Sequence, residues 1–141
     1  MDKQTEPYIH KVQYYETDKM GIVHHSNYLR WFEEARTDML EKIGMGYDVI
    51  EEKGVIIPVL SASCKYKKPV EYGNTVTVSV KLTDYNGVKF KMVYKICSSS
   101  SNILHAEGET EHCFLNKCFK PVNIKKYNKE IALILENYIT V

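Results

Sequence analysis

YYETDKMGIVHHSNYLRWFEEAR, Tyr14 to Arg36, is the stretch around which the chain is built. Its second half carries Tyr28, Trp31, Phe32 and Ala35, continued by Met39 and Ile43, at the spacing of one buried helical face. Ser26 and Asn27, both good N-cap residues, mark the start of that helix. Neither is followed three positions later by the Glu or Gln of a capping box. The first half is a polar loop with one carboxylate, Asp18, followed by Met20-Gly21 and the small apolar pair Ile22-Val23. An acid therefore stands a few residues before the start of a core helix. The first turn of a helix has unpaired N–H groups and a partial positive charge, and both favour developing negative charge. A carboxylate held nearby can act as base or nucleophile on a carbonyl whose oxygen faces those N–H groups. From spacing alone the commoner reading is structural, an aspartate capping a turn ahead of a core helix.

Outward from this stretch the pattern is mostly β. Tyr8 to Tyr15 alternates imperfectly and predicts a first strand. Gly44 and Gly46 end the long helix at about Ile43, and Tyr47 to Lys53 predicts a short second helix stopped by Gly54. Val55 to Tyr66 is β-rich, with Pro58 marking an edge, a bulge or a strand start. Thr75 to Thr83 alternates strictly, placing Val76, Val78, Val80 and Leu82 on one face. Asp84-Tyr85-Asn86-Gly87 ends in a strong hairpin signal. Val88 to Ser98 and Ile103 to Asn116 are the last two strands, and Lys126 to Tyr138 predicts an amphipathic tail helix. One early helix followed by an antiparallel meander is an α+β plan in a single domain, 1–141. A sheet curled round the helix would bury the Tyr28, Trp31 and Phe32 stripe.

Composition excludes several classes. With 141 residues, 44% of them hydrophobic and 26% charged, the chain has material for one real core. A net charge of +1 gives no general attraction to nucleic acid or membrane. The polar segment MDKQTEPYIHK has no apolar region of the secretory kind, and no run approaches the ~20 apolar residues of a membrane span. The four cysteines, Cys64, Cys97, Cys113 and Cys118, form no C-x-x-C pair and lack companion ligands for a metal. They are expected to be free, buried thiols in a reducing cytoplasm.

The string Glu16-Thr17-Asp18-Lys19-Met20-Gly21-Ile22-Val23-His24-His25-Ser26-Asn27-Tyr28, followed by Trp31-Phe32-Glu33 and Ala35-Arg36, resembles the signature of hotdog-fold acyl-CoA thioesterases. The branch is that of 4-hydroxybenzoyl-CoA thioesterase and the short bacterial acyl-CoA thioesterases. A second block, Pro58-Val59, Cys64-Lys65-Tyr66-Lys67-Lys68-Pro69 and Tyr72-Gly73-Asn74, resembles the same family in the same order. The resemblance implies a curved antiparallel sheet wrapped around one long helix, subunits joined as a homodimer or homotetramer, and a small-molecule acyl-CoA substrate. It assigns Asp18 attack on the thioester carbonyl or activation of a water, and the backbone N–H of His25 the polarisation of the carbonyl oxygen. The His25 imidazole is not required for that role. Val23, His24, Ser26 and Tyr28 would line or border the substrate, with Ser61 and Ser63 reaching it across a dimer.

One departure concerns CoA. The benzoyl-specific enzyme has a basic cluster just after the turn that follows its third strand, where this chain has Asn86-Gly87-Val88 with Lys89 and Lys91 a little further on. Lys89 and Lys91, or the Lys65, Lys67 and Lys68 group, are the candidate phosphate contacts, as point charges and not bidentate ones. A solvated strand face is the plain alternative for all of them. No Gly-x-Ser-x-Gly elbow is present. A thioester is an easy acyl donor, so one carboxylate and a helix-end oxyanion site suffice without a full triad. No metal and no cofactor beyond the CoA of the substrate is expected, because adjacent His24 and His25 on a strand-like loop should diverge. Glu33 and Arg36 are placed to pair. A non-catalytic acyl-thioester-binding module or dimeric scaffold on the same fold is the alternative function. A hotdog dehydratase is disfavoured, since its pairing of histidine and acid is not evident.

Overall fold

The computed structural model describes residues 4–140, so the first residues of the polar N-terminal segment and Val141 lie outside it. Five strands form one antiparallel sheet in the order β1–β3–β4–β5–β2: β1 (Tyr8–Lys11), β2 (Val59–Tyr66), β3 (Thr75–Thr83), β4 (Lys89–Ser98) and β5 (Leu104–Cys113). Strand alternation decides which face is apolar, and Val76, Val78, Leu82, Phe90, Met92, Tyr94 and Ile96 are all buried. The long helix α1 (Ser26–Lys42) lies on this face, with Trp31 and Phe32 fully buried. Phe32 stacks on Tyr94 of β4 with ring centroids 4.3 Å apart and planes 10° from parallel. The result is an α+β hotdog, with the sheet wrapped on the helix whose stripe demanded cover.

Two glycines are needed where they stand. Gly108 of β5 lies under the Phe32 ring, and a Cβ there would sit 2.7 Å from it and collide with the Ser63 carbonyl. Gly21 takes φ +79 in the loop before α1, a conformation that most residues resist.

The structure departs from the predicted elements in three places, and from the expected cysteine burial in a fourth respect. β1 ends at Lys11, and the chain then makes a single 3-10 turn at Tyr14–Glu16, because the Glu16 carboxylate folds inward and accepts the Gln13 N–H at 2.7 Å. Val55 to Pro58 stays outside the ladder apart from a bridge between Ile56 and Leu115, and β2 starts directly after Pro58, which has no N–H to donate. The tail is two helices, α3 (Ile124–Tyr127) and α4 (Lys129–Glu136), with α2 (Tyr47–Glu52) earlier in the chain. Asn128 divides the tail, since its φ of −150 leaves the helical region and its side chain caps the Ile131 N–H. All four cysteines are free, but only Cys113 is buried; Cys64 and Cys97 are half-buried and Cys118 is exposed in the turn after β5. Among the described residues no helix is long and apolar enough to cross a membrane.

Candidate active site

The loop between β1 and α1 is held at its root by Glu16. This side chain is buried, and its carboxylate accepts from His10 Nε2 at 2.9 Å, Gln13 N at 2.7 Å and Trp31 Nε1 at 2.6 Å. Burial alone would push the carboxyl up, but hydrogen bonds from Gln13, His10 and Trp31 outweigh it and hold the group below its ordinary value. The Glu16 carbonyl accepts from His24 N at 2.8 Å and from Asn27 Nδ2 at 2.9 Å. One residue thus ties β1, the loop and the start of α1 together.

Beyond this root the loop closes on itself. Asp18 N donates to the Ile22 carbonyl at 2.8 Å, Gly21 N to the Asp18 carbonyl at 3.1 Å, and Val23 N to Val70 at 2.8 Å. Asp18 Oδ1 accepts the Met20 N–H at 2.8 Å, the aspartate turn that the residue type favours. Its other carboxylate oxygen has no hydrogen-bond partner among the described residues.

The helix entrance differs from the predicted capping. Ser26 is the first residue of α1 and does not cap it; the cap position belongs to His25, whose side chain makes no capping bond. The acceptor comes from one residue earlier. His24 Nδ1 takes the Ser26 N–H at 3.2 Å and lies 2.8 Å from Ser26 Oγ, so Nδ1 is the unprotonated nitrogen. Asn27 N and Tyr28 N turn back to the carbonyls of His24 and His25. The His25 N–H is left with no partner among the described residues.

Asp18, Met20, Ile22, Val23, His24, His25, Tyr28, Tyr66, Lys67, Lys68 and Pro69 line one cavity of about 420 Å³. Five of the sequence-predicted residues (Asp18, Val23, His24, His25 and Tyr28) are therefore brought together. Ser26 is not among the lining residues and instead partners His24. Tyr28 is buried with its ring 5.1 Å from Tyr66 and 5.2 Å from Trp31, and burial pushes its hydroxyl up. Tyr66 donates a long 3.4 Å hydrogen bond to the His25 carbonyl.

The remaining candidates lie away from this cavity within the chain. Ser61 donates to Glu111, and Ser63 borders a separate groove with Lys65 and Glu109. Lys91 faces Asp84, Glu109 and Glu111 at 3.8 to 3.9 Å, and Lys89 pairs in register with Cys113. Of the lysines weighed for phosphate contact, Lys67 and Lys68 are the two at the cavity. Glu33 and Arg36 do pair, at 3.9 Å. The His24 and His25 rings do not diverge: their centroids are 4.2 Å apart, because the chain has already begun to coil there. Among the described residues no three His, Cys, Asp or Glu side chains group as metal ligands would.

Glu16, Tyr66 and Met20 were not singled out as site residues by their spacing. One signal pointed to Glu16: Trp31 lies in the buried stripe, and a buried indole N–H needs an acceptor.

The chain matches the model of the thioesterase-like superfamily over residues 12–125. It is 39% identical over 116 residues to a Bacillus subtilis protein named "Putative acyl-CoA thioesterase YneP", a match spanning 82% of this chain and 84% of that one. The solved structure of a hypothetical protein from Aquifex aeolicus superposes with a TM-score of 0.84 at 37% identity, covering 92% of this chain and 98% of that one. A DHNA-CoA thioesterase from Staphylococcus aureus superposes with a TM-score of 0.86 at 31% identity, covering 93% of this chain and 88% of that one.

Proposed function

The chain belongs to the thioesterase-like superfamily, and on that premise we propose that this hydrolase cleaves an acyl-CoA to a carboxylic acid and free CoA. One observation carries the reading: the free carboxylate oxygen of Asp18 and the unpartnered N–H of His25 belong to residues lining the same cavity. The thioester carbonyl enters with its oxygen on the His25 N–H, where the start of α1 favours the charge that develops. As base, Asp18 takes a proton from water, the resulting hydroxide bonds to the carbonyl carbon, and the C–S bond breaks. The proton then passes from Asp18 to the departing thiolate. As nucleophile, Asp18 first forms a mixed anhydride with release of CoA, and water then hydrolyses it. Either route consumes one water and needs no metal or redox cofactor.

The acyl group packs against Ile22, Val23, Tyr28 and Tyr66, and Lys67 and Lys68 meet CoA phosphates as point charges. The aromatic wall accommodates a planar acyl group of the 4-hydroxybenzoyl kind. A homodimer forms through β2, one of the sheet's two edge strands, which leaves Val59 and Leu60 45% and 48% exposed. Pairing there would carry Ser61 and Ser63 toward the partner's cavity, and two dimers can pair again as a tetramer. Free cysteines fit a reducing, cytoplasmic setting.

Thiol release measured across short, long and aromatic acyl-CoAs tests the function. Asp18→Asn is expected to lower kcat by about 10²-fold or more with the fold intact. Undiminished turnover in that variant would remove Asp18 from the mechanism. Saturable acyl-CoA binding by wild type without thiol release would instead identify a binding module.

A further inference from the structure

We propose that Glu16 is a positioning residue for this reaction, fixing the separation between the Asp18 carboxylate and the His25 N–H. The proposal rests on the function given above. Two sides of the site leave the same residue in opposite directions. Along the chain, Asp18 follows Glu16 by two positions, in a loop closed by its own hydrogen bonds. Through space, the Glu16 carbonyl holds His24 N, the residue immediately before His25, and Asn27 Nδ2 in the first turn of α1. The carboxylate anchors this arrangement to the core through donors from β1, from the turn and from the buried face of α1.

Each donor specifies a carboxylate. His10 and Gln13 N both reach Oε1, while Trp31 Nε1 reaches Oε2. A glutamine has one acceptor oxygen. If that oxygen serves His10 and Gln13, its NH2 group meets the Trp31 N–H donor to donor. If it serves Trp31, Gln13 N is orphaned and the turn that leads to Asp18 loosens. Neither arrangement touches the substrate, so the effect falls on the alignment of reacting groups, where a displacement of about 1 Å is worth on the order of 10²-fold in rate.

The experiment compares wild type, Asp18→Asn, Glu16→Gln, Trp31→Phe and the double variant Glu16→Gln/Trp31→Phe in steady-state thiol release. Near-ultraviolet circular dichroism gives the folded fraction of each. Glu16→Gln is expected to lower kcat per folded molecule about 10- to 100-fold with KM within about threefold. Backbone amides of Ser26 to Tyr28 should exchange faster in the same variant. Removing the Trp31 N–H lets the glutamine oxygen stay on His10 and Gln13, so the double variant should return to within about threefold of Trp31→Phe alone. Wild-type kcat in folded Glu16→Gln, or a double variant as slow as Glu16→Gln, would overturn the positioning role. If Glu16→Gln does not fold, Asn27→Ala removes only one bond to the Glu16 carbonyl. That variant should lose about three- to tenfold in kcat at unchanged KM, and no loss overturns the proposal. An inactive Asp18→Asn beside a fully active Glu16→Gln rejects Glu16 and keeps the function. A wild type that releases no thiol rejects the function and the role of Glu16 with it.

Discussion

Two buried polar networks share this core, and only one is closed. Around Arg36, further along α1 from the site, no buried side-chain nitrogen or oxygen among the described residues is left without a partner. His112 Nδ1 faces the Pro58 carbonyl at 3.2 Å, so it must be the protonated nitrogen. His112 Nε2 is then an acceptor, the Thr110 hydroxyl donates to it at 2.7 Å, and the Tyr94 hydroxyl donates to Thr110 at 2.7 Å. Arg36 Nε donates to Tyr47 at 3.1 Å. At the helix entrance, by contrast, Glu16 gathers five donors, yet the neighbouring His25 N–H and one Asp18 oxygen are left without a partner among the described residues. Charge differs as well. Hydrogen bonds keep Glu16 ionised, whereas burial, helped by the positive charge of Arg36 and opposed by the Pro58 carbonyl, holds His112 at about 4. On the proposed function the difference marks where chemistry enters: the closed network serves stability, and the open one presents the groups that a substrate would complete.

The largest expected effect separates the two by pH. His112 has a folded pKa of about 4 against an ordinary 6.5, so the unfolded chain takes up a proton that the folded chain refuses. Stability from this group is complete above the ordinary value and falls by about 3 kcal/mol as pH drops to the folded one. Glu16 acts lower. Its folded pKa lies below 4.5, so its contribution is present above that value and is lost only as pH falls through the depressed one. Urea unfolding at steps from pH 7 to pH 4 should therefore show a slope that His112→Asn lacks; equal slopes in both would break the assignment of a closed, neutral network.

Thr110→Val sharpens the same contrast at a smaller scale. It leaves His112 Nε2 without a donor and the Tyr94 O–H with only the distant Met92 sulfur as acceptor, at 3.8 Å. A loss of about 1–3 kcal/mol in denaturant stability is expected, with kcat per folded molecule unchanged. A fall in kcat at full folding would mean that the two networks are coupled.

How much of this was legible in the sequence depends on range. The α1 stripe and the alternating β3 and β4 are local periodicities, and they fold as the period requires because each buries one continuous face. Asp18, Val23, His24, His25 and Tyr28 line one cavity because neighbours on a short loop stay neighbours. Glu16 was hidden because it follows two tyrosines that are 77% exposed and so reads as a solvated charge; its burial is decided by His10, Gln13 and Trp31 from separate elements. Tyr66, Lys67 and Lys68 reach the cavity only because β2 folds to the sheet edge beside β5, a pairing that no local pattern encodes. The tail broke for the opposite reason, a local one: Asn128 is an N-cap residue inside an apolar period, and the cap prevailed over the period.

Tyr66→Phe is the smallest change and the finest probe of the open network. The hydroxyl it removes donates to the His25 carbonyl at 3.4 Å, beyond good hydrogen-bond length, while the ring it keeps still packs on Tyr28. Because the His25 carbonyl also accepts from Tyr28 N, the turn retains a partner when the hydroxyl is gone. The expected change in kcat is within about threefold, comparable to loss of a weak hydrogen bond. A much larger fall, at unchanged stability, would show that the helix entrance is held from β2 as well as from its root, and that the open network extends across the cavity to the sheet edge.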